Sequence, residues 1–191
     1  MLKQLLQADR TVRRFREDEK VNRETLVGLV ELTRYCASGR NLQPLRYYVV
    51  SDEMQCRKIF DNLKWAGYYA DWDGPEEGER PTAYLVQCID TQLTRNCLCD
   101  DGLQLQAITL GAAAKGIGCC IIKSFNMAGI REALSIDDRY LPNYVLALGY
   151  PAETVEIETT DGNCDDNIKY FRTPDGVHHV PKRPLDELIL S

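Results

Sequence analysis

The sequence is short of positive charge: 23 Lys and Arg stand against 29 Asp and Glu, a formal net charge of −6. A nucleic-acid partner would usually demand a basic face, so none is expected. Long apolar runs are missing as well. No stretch approaches the roughly 20 residues that a membrane helix requires. Met1 to Arg16 alternates leucine with charge and carries no signal-peptide apolar core, so no membrane association and a cytoplasmic location are expected. The only two histidines are adjacent, His178 and His179. On a strand they would face opposite ways and could not both ligate one metal from it, so neutral, hydrogen-bonded rings are expected. There is no Ser-His-Asp arrangement, no paired-carboxylate pattern and no internal repeat. Gly111, Gly116 and Gly118 end a helix, whereas a dinucleotide fingerprint lies between a strand and the helix it opens.

Cysteine is plentiful but lacks the paired spacing of a zinc site or a secreted disulfide framework: the eight fall at 36, 56, 88, 97, 99, 119, 120 and 164. Two readings stand. Cys97, Cys99, Cys119 and Cys120 could ligate a metal if the fold gathered them, which would suit a non-catalytic binding module. Otherwise most of the thiols are reduced, buried small hydrophobes. The site expectation adopted here includes no metal.

A chain of 191 residues is long enough to bury a substantial core, and one domain is expected over 1–191 with a C-terminal arm over 168–191. Leu2, Leu5 and Leu6 form a short helical stripe. Asn22 is a helix N-cap, with Val21 and Leu26 placed as a hydrophobic staple. Leu45 to Val50 predicts a strand, Glu53 to Leu63 a helix and Ala83 to Ile89 a strand. Asp101 to Lys115 predicts a helix apolar on nearly every side, hence buried centrally or in a subunit interface. Gly118 begins another strand, Asn126 caps a short helix through Leu134, and Tyr144 to Leu148 is a strand. Residues 152–167 read as an acidic loop. Ile168 to Arg172 and Val177 to Val180 flank a Pro-Asp-Gly turn as a hairpin, before a last apolar segment from Leu185 to Leu190. About five strands and five or six helices without strict βαβ alternation predict an α+β fold with a mixed or mostly antiparallel sheet.

Three stretches carry polar chemistry. Ala37 to Pro44 holds the hydroxyl of Ser38 and the carboxamides of Asn41 and Gln43 within eight residues. Carboxamides present donor and acceptor side by side, as needed to read the amide edge of a planar heterocycle; a plain polar helix–strand connection is the alternative. Arg10, Arg13 and Arg14 beside Thr11 match phosphate oxygens, or are a solvated basic face at a helix end. Trp65, Tyr68, Tyr69 and Trp72 lead into a Gly/Pro-rich acidic stretch, either a cover over a site or an excursion whose rings pack on the core.

Together these segments resemble the nitroreductase family. Arg10-Thr11-Val12-Arg13-Arg14-Phe15 is similar to its R-S-x-R-x-F motif, and Ser38-Gly-Arg-Asn41-Leu-Gln43-Pro44 to its S-x-x-N-x-Q-P loop. The apolar helix before Gly116-Ile-Gly118-Cys119, then Val145-Leu-Ala-Leu-Gly149-Tyr150-Pro151 and Lys182-Arg183-Pro-Leu, follow in the family's order. Thr11 replaces a serine, Ala37 a proline, and Asp9 stands where a further arginine is common, which removes one phosphate contact.

The resemblance implies a three-layer fold with a central mixed or mostly antiparallel sheet flanked by helices. It also implies an FMN-dependent homodimer with two flavins at its interface. Arg10 and Thr11 would hold the phosphate end and Arg13 the flavin N1/C2 edge. Ser38, Asn41 and Gln43 would frame the ring or ribityl chain from the partner subunit. Backbone N–H groups near Gly118, Cys119 and Cys120 would lie by the N5/O4 edge, and Lys182 and Arg183 would close on the phosphate. The implied reaction is ping-pong hydride transfer from NAD(P)H to a nitroaromatic, quinone or similar planar acceptor, with the redox chemistry carried by the cofactor and no catalytic side chain assigned. A reductive dehalogenase or alkene reductase on the same fold is the alternative.

Overall fold

A computed structural model describes residues 1–69, 71–160 and 168–190. Its centre is a four-stranded antiparallel sheet in the order β1-β2-β4-β3, made of β1 (Leu45–Val50), β2 (Ala83–Asp90), β3 (Gly118–Ile122) and β4 (Tyr140–Gly149). All eight residues of β2 are buried. Such a strand reads as a continuous apolar run because both faces of the sheet are covered. Tyr84, Val86 and Cys88 pack on one face with Cys56 and Ile59 of α3 (Glu53–Phe60) and Ile130 of α5 (Met127–Leu134). Ala83 and Leu85 pack on the other with Leu26 and Leu29 of α2 (Arg23–Glu31) and Leu105, Ile108 and Ala112 of α4 (Asp100–Ala113). This is the expected helix–sheet–helix layering.

Local chemistry sets the helix ends. Asn22 accepts from the Thr25 amide at 2.8 Å and opens α2. Asn126 does the same for α5 through Gly129. Gly116 takes φ +72° after α4, the left-handed turn that favours glycine. The ladder between β2 and β4 shifts register at Gln87/Cys88. The shift lets Pro142, which has no amide to donate, sit within a strand. It also leaves buried Asn143 as the extra residue, donating to Gln87 and Asp101.

Several expectations are corrected. The described residues hold seven strands, not about five, because a second sheet, β5-β7-β6, is present. β5 (Val155–Thr159) lies in the segment expected to be an acidic loop and pairs in parallel with β7 (His178–Lys182). β6 (Phe171–Arg172) completes the expected hairpin with β7. Residues 161–167 of that segment, with Cys164, lie outside the described residues. α3 stops at Phe60 rather than Leu63, whose backbone bridges to Phe125 instead. α4 is not buried all round within the chain: its inner seam faces the sheet while Leu103 is 44% exposed. α1 (Leu2–Ala8) and α6 (Leu185–Leu188) are short terminal helices, and no described helix is long and apolar enough to cross a membrane.

Candidate functional site

β3 is an edge strand, and the segment after α1 fills its open side. The Val12 amide donates to the Cys119 carbonyl at 2.9 Å, next to a Thr11–Cys119 bridge. Gly118 permits this approach, because a Cβ there would lie 2.8 Å from the Val12 side chain. The pairing brings Arg10, Thr11, Arg13 and Cys119 to the wall of one cavity of about 240 Å³, and β7 of the second sheet adds Lys182. Five of the eleven expected site residues therefore converge.

Arg13 is the most constrained of them, 9% exposed. Its backbone amide and that of Arg14 donate to Glu153 Oε1 at 2.5 and 3.1 Å, while Glu153 Oε2 accepts from Arg172 at 2.5 Å. The Arg13 guanidinium lies 4.5 Å from the centre of the Tyr170 ring, and its Nη1 is 3.1 Å from His178 Nε2. Arginine only donates, so Nε2 accepts and the proton of a neutral imidazole sits on Nδ1, 2.6 Å from the Tyr69 hydroxyl. Burial, then the charge of Arg13, lowers the His178 pKa to about 4. The ring is therefore neutral near pH 7, in line with the sequence expectation.

The cavity is rich in donors. Arg10 and Arg13 each keep a buried Nε–H without a hydrogen-bond partner among the described residues, and Lys182 adds a further cation. Asp9 opposes them: its carboxylate lines the same cavity, accepting from Gln106 at 2.6 Å and Thr109 at 2.7 Å. The donor set fits an anionic group, with one acidic neighbour.

Of the remaining expected residues, Ser38, Asn41, Gln43 and Arg183 lie elsewhere, while Gly118 and Cys120 flank Cys119 on β3. Ser38 donates to Asp100 Oδ2 at 2.6 Å and accepts from the Gln43 amide at 2.9 Å, while Gln43 donates to Asn41 Oδ1 at 3.1 Å. Asp100 opens α4, whereas Gln106 and Thr109 stand further along it. Six to nine residues of helix separate the two groups by roughly 9–14 Å of rise. Arg183 does not line the cavity; its Nη1 binds Glu187 at 3.0 Å. Gly118 serves strand packing, and Cys120 points into the core. Burial pushes the Cys119 thiol up and Cys120 to about 11, so neither is a thiolate near neutrality. Among the described residues no three His, Cys, Asp or Glu side chains are placed to hold a metal.

The aromatic stretch divides. Trp65 is core, packed on Phe60 and Trp72, and Gly74 at φ +125° leaves room for its indole. Of the two expected readings, packing on the core is the one this ring follows. Tyr68 and Tyr69 instead contact Tyr170, at ring separations of 4.9 and 5.3 Å. The sequence reading missed Glu153, Tyr170, His178 and Asp100 as parts of these sites. The contacts of Glu153 and His178 with Arg13 span 140 and 165 positions, which no local pattern reports. Gln106 and Thr109 did carry a signal, a polar i, i+3 pair on an otherwise apolar helix.

The nitroreductase family model matches residues 7–84 and 97–150. No curated protein gives a significant match. Among solved structures, a nitroreductase family protein from Streptococcus pneumoniae TIGR4 is 18% identical with a TM-score of 0.72, covering 100% of both chains. One from Clostridium novyi NT is 18% identical with a TM-score of 0.67, covering 98% of each. The NADPH:FMN oxidoreductase from Vibrio harveyi, complexed with NAD⁺, is 22% identical with a TM-score of 0.62, covering 78% of this chain and 68% of that one. These likenesses concern the fold. The family-model match, spanning most of both helical layers and the central sheet, shows that the chain belongs to the nitroreductase family of flavin oxidoreductases.

Proposed function

We propose that the chain is an FMN-dependent, NAD(P)H-type oxidoreductase that serves a small planar acceptor such as a nitroaromatic or quinone. It acts as a cytoplasmic homodimer with ping-pong turnover, residues 1–191 forming one cofactor-binding domain and 168–191 its arm. The observation that carries the reading is the convergence of Arg10, Thr11, Arg13 and Lys182 on one cavity, with two buried guanidinium N–H groups lacking acceptors among the described residues. Bound flavin supplies the two-electron chemistry, and the protein supplies binding, orientation and charge. Arg10, Thr11 and Lys182 hold the phosphate end. Asp9 cannot, so Arg10 and Lys182 carry that charge between them. Arg13, fixed in place by Glu153 and neutral His178, sets a permanent positive charge against the pyrimidine edge. A preorganised cation there favours the negative charge that reduction brings.

The second half of the set supports a dimer. A cavity of about 240 Å³ falls below the roughly 300–1,000 Å³ usual for ligand pockets. The Ser38–Gln43 loop lies outside it, with Gly39 beside Leu98; Leu98 and, on α4, Leu103 are 61% and 44% exposed. A second copy would both cover those leucines and bring its own loop to the first copy's arginines.

The test is the colour of the purified protein and the identity of what denaturation releases. FMN at one equivalent per chain is expected. Arg13→Ala should weaken FMN by about 1.5–3 kcal/mol, the usual worth of a charge-assisted contact, and lower its reduction potential. A colourless protein that does not take up FMN, or an Arg13→Ala variant with unchanged affinity and potential, would overturn the reading.

A further inference from the structure

On the α3 face of the sheet lies a second cleft, of about 230 Å³, that shares no lining residue with the Arg13 cavity. Its floor is Tyr84, whose side chain is wholly buried and whose hydroxyl has no hydrogen-bond partner among the described residues. A buried hydroxyl is rarely left so. Above it, Arg80 lays its guanidinium 4.4 Å over the Phe60 ring and keeps a buried Nε–H likewise unpartnered. Lys20 adds a second cation to the wall.

Each carboxylate in the cleft already accepts through one of its oxygens. Glu17 accepts from the Gly78 and Arg80 amides at 2.6 and 3.2 Å, and Glu53 from Arg57 at 2.7 Å. With Arg57, the cleft holds three cations against these two carboxylates, so its lining is net positive. Burial raises the pKa of the Tyr84 phenol, so it remains an O–H donor at any ordinary pH. A cationic or donor-only ligand would leave both Tyr84 and Arg80 unmet. Phe60, Cys56 and Pro81 supply an apolar wall that a bare inorganic anion would not use. An apolar cavity of about 150 Å³ takes up benzene. The larger cleft here leaves room for a ring with a carboxylate.

We propose that this cleft is a second ligand site, taking a small carboxylate on a flat apolar body, with Tyr84, Arg80 and Lys20 as its donors and Phe60 as its apolar wall. The site is independent of the flavin reading. Its floor strand is β2, and its rim, residues 78–82, also grips the segment after Arg14: the Phe15 amide donates to the Glu79 carbonyl and the Glu17 amide to the Gly78 carbonyl.

Benzoate is the probe, titrated calorimetrically into the protein as purified, with inorganic phosphate and benzylamine as controls. One saturable benzoate site per chain is expected, with neither control competing. Tyr84→Phe removes only an unpartnered hydroxyl, so its melting temperature should match the parent while benzoate binds about tenfold more weakly, the effect of losing a hydrogen bond to a charged group. Arg80→Met, which keeps the bulk over Phe60, should weaken benzoate at least as much. Arg13→Ala should leave benzoate binding unchanged. The proposal fails if no saturable binding is found, which would leave Tyr84 to water alone. It also fails if phosphate competes equally, or if Arg13→Ala removes benzoate binding while Tyr84→Phe does not, which would assign the probe to the other cavity.

Discussion

The two halves of the proposed cofactor set are built in opposite ways. The Arg10–Arg14 segment is held by groups remote in sequence: Glu153 on its backbone, and His178 and Tyr170 on the Arg13 side chain. The Ser38–Gln43 loop is held by itself and by two near neighbours, the Asp100 carboxylate and the Arg46 guanidinium on the Gln43 carbonyl, with Arg40, Asn41 and Gln43 all at φ near +50°. Left-handed backbone costs a residue with a Cβ roughly 1–2 kcal/mol. One half is thus ordered by tertiary packing, while the other is a strained turn with its carboxamides bonded to each other. Damage to the first should spread through the protein, and damage to the second should stay local.

The largest expected effect is at Glu153. Its side chain is 2% exposed and ties two backbone amides and Arg172 together. Glu153→Ala should cost about 3–5 kcal/mol, as for other buried pairs broken on one side. Denaturant midpoints measure it, and a loss below about 1 kcal/mol would mean the segment is held by its strand pairing alone. His178 gives the next effect, through pH. Its folded pKa of about 4 lies below the value of the free ring, which is near 6.5. Between those values the unfolded chain binds a proton that the folded chain refuses. Stability is then complete above about pH 6.5 and falls on acidification through about pH 4, by about 3 kcal/mol in total. The slope should be absent from His178→Gln; an equal slope in that variant would assign it to other groups.

At the other half, Asp100→Ala frees the Ser38 hydroxyl and the Gly39 amide. About 1–3 kcal/mol is expected, with faster amide exchange over residues 38–43 and none over 11–14. Exchange that quickens in both places would abolish the contrast. Arg40→Gly is the smallest change. Relief of the φ +52° backbone, less the extra entropy of a glycine, should raise stability by up to about 1 kcal/mol. A loss instead would show that the Arg40 side chain holds the turn.

The same division governs what could be read from sequence. β1 emerges with the predicted ends because its β-forming residues are bounded by Pro44 and by Asp52, which caps α3. The central layer was legible, since apolar runs of strand and helix length need no remote partner to be recognised. β5 was not, although Val155, Glu156, Ile157 and Glu158 do alternate; acidic composition masked a period-two pattern whose partner, β7, begins more than 20 residues later. The arginine motif was visible as residues but not as an arrangement. Nothing near Arg13 announces that a glutamate and a histidine will fix it. The Ser38–Gln43 loop was visible as chemistry, while its three left-handed residues carry neither glycine nor any other cue except Asn41.

The 165 positions between Arg13 and His178 also set a timetable. A ribosome adding about 5–20 residues per second needs on the order of 10–30 s to travel from one to the other. Throughout that interval the nascent arginine lacks its imidazole, and for all but the last eight residues of it lacks its tyrosine as well. Contacts of such separation are also the slowest to close in an isolated chain. The pocket around Arg13 is therefore among the last parts of the molecule to exist, and a chain stalled before residue 178 would carry the arginine motif without the surroundings that hold it.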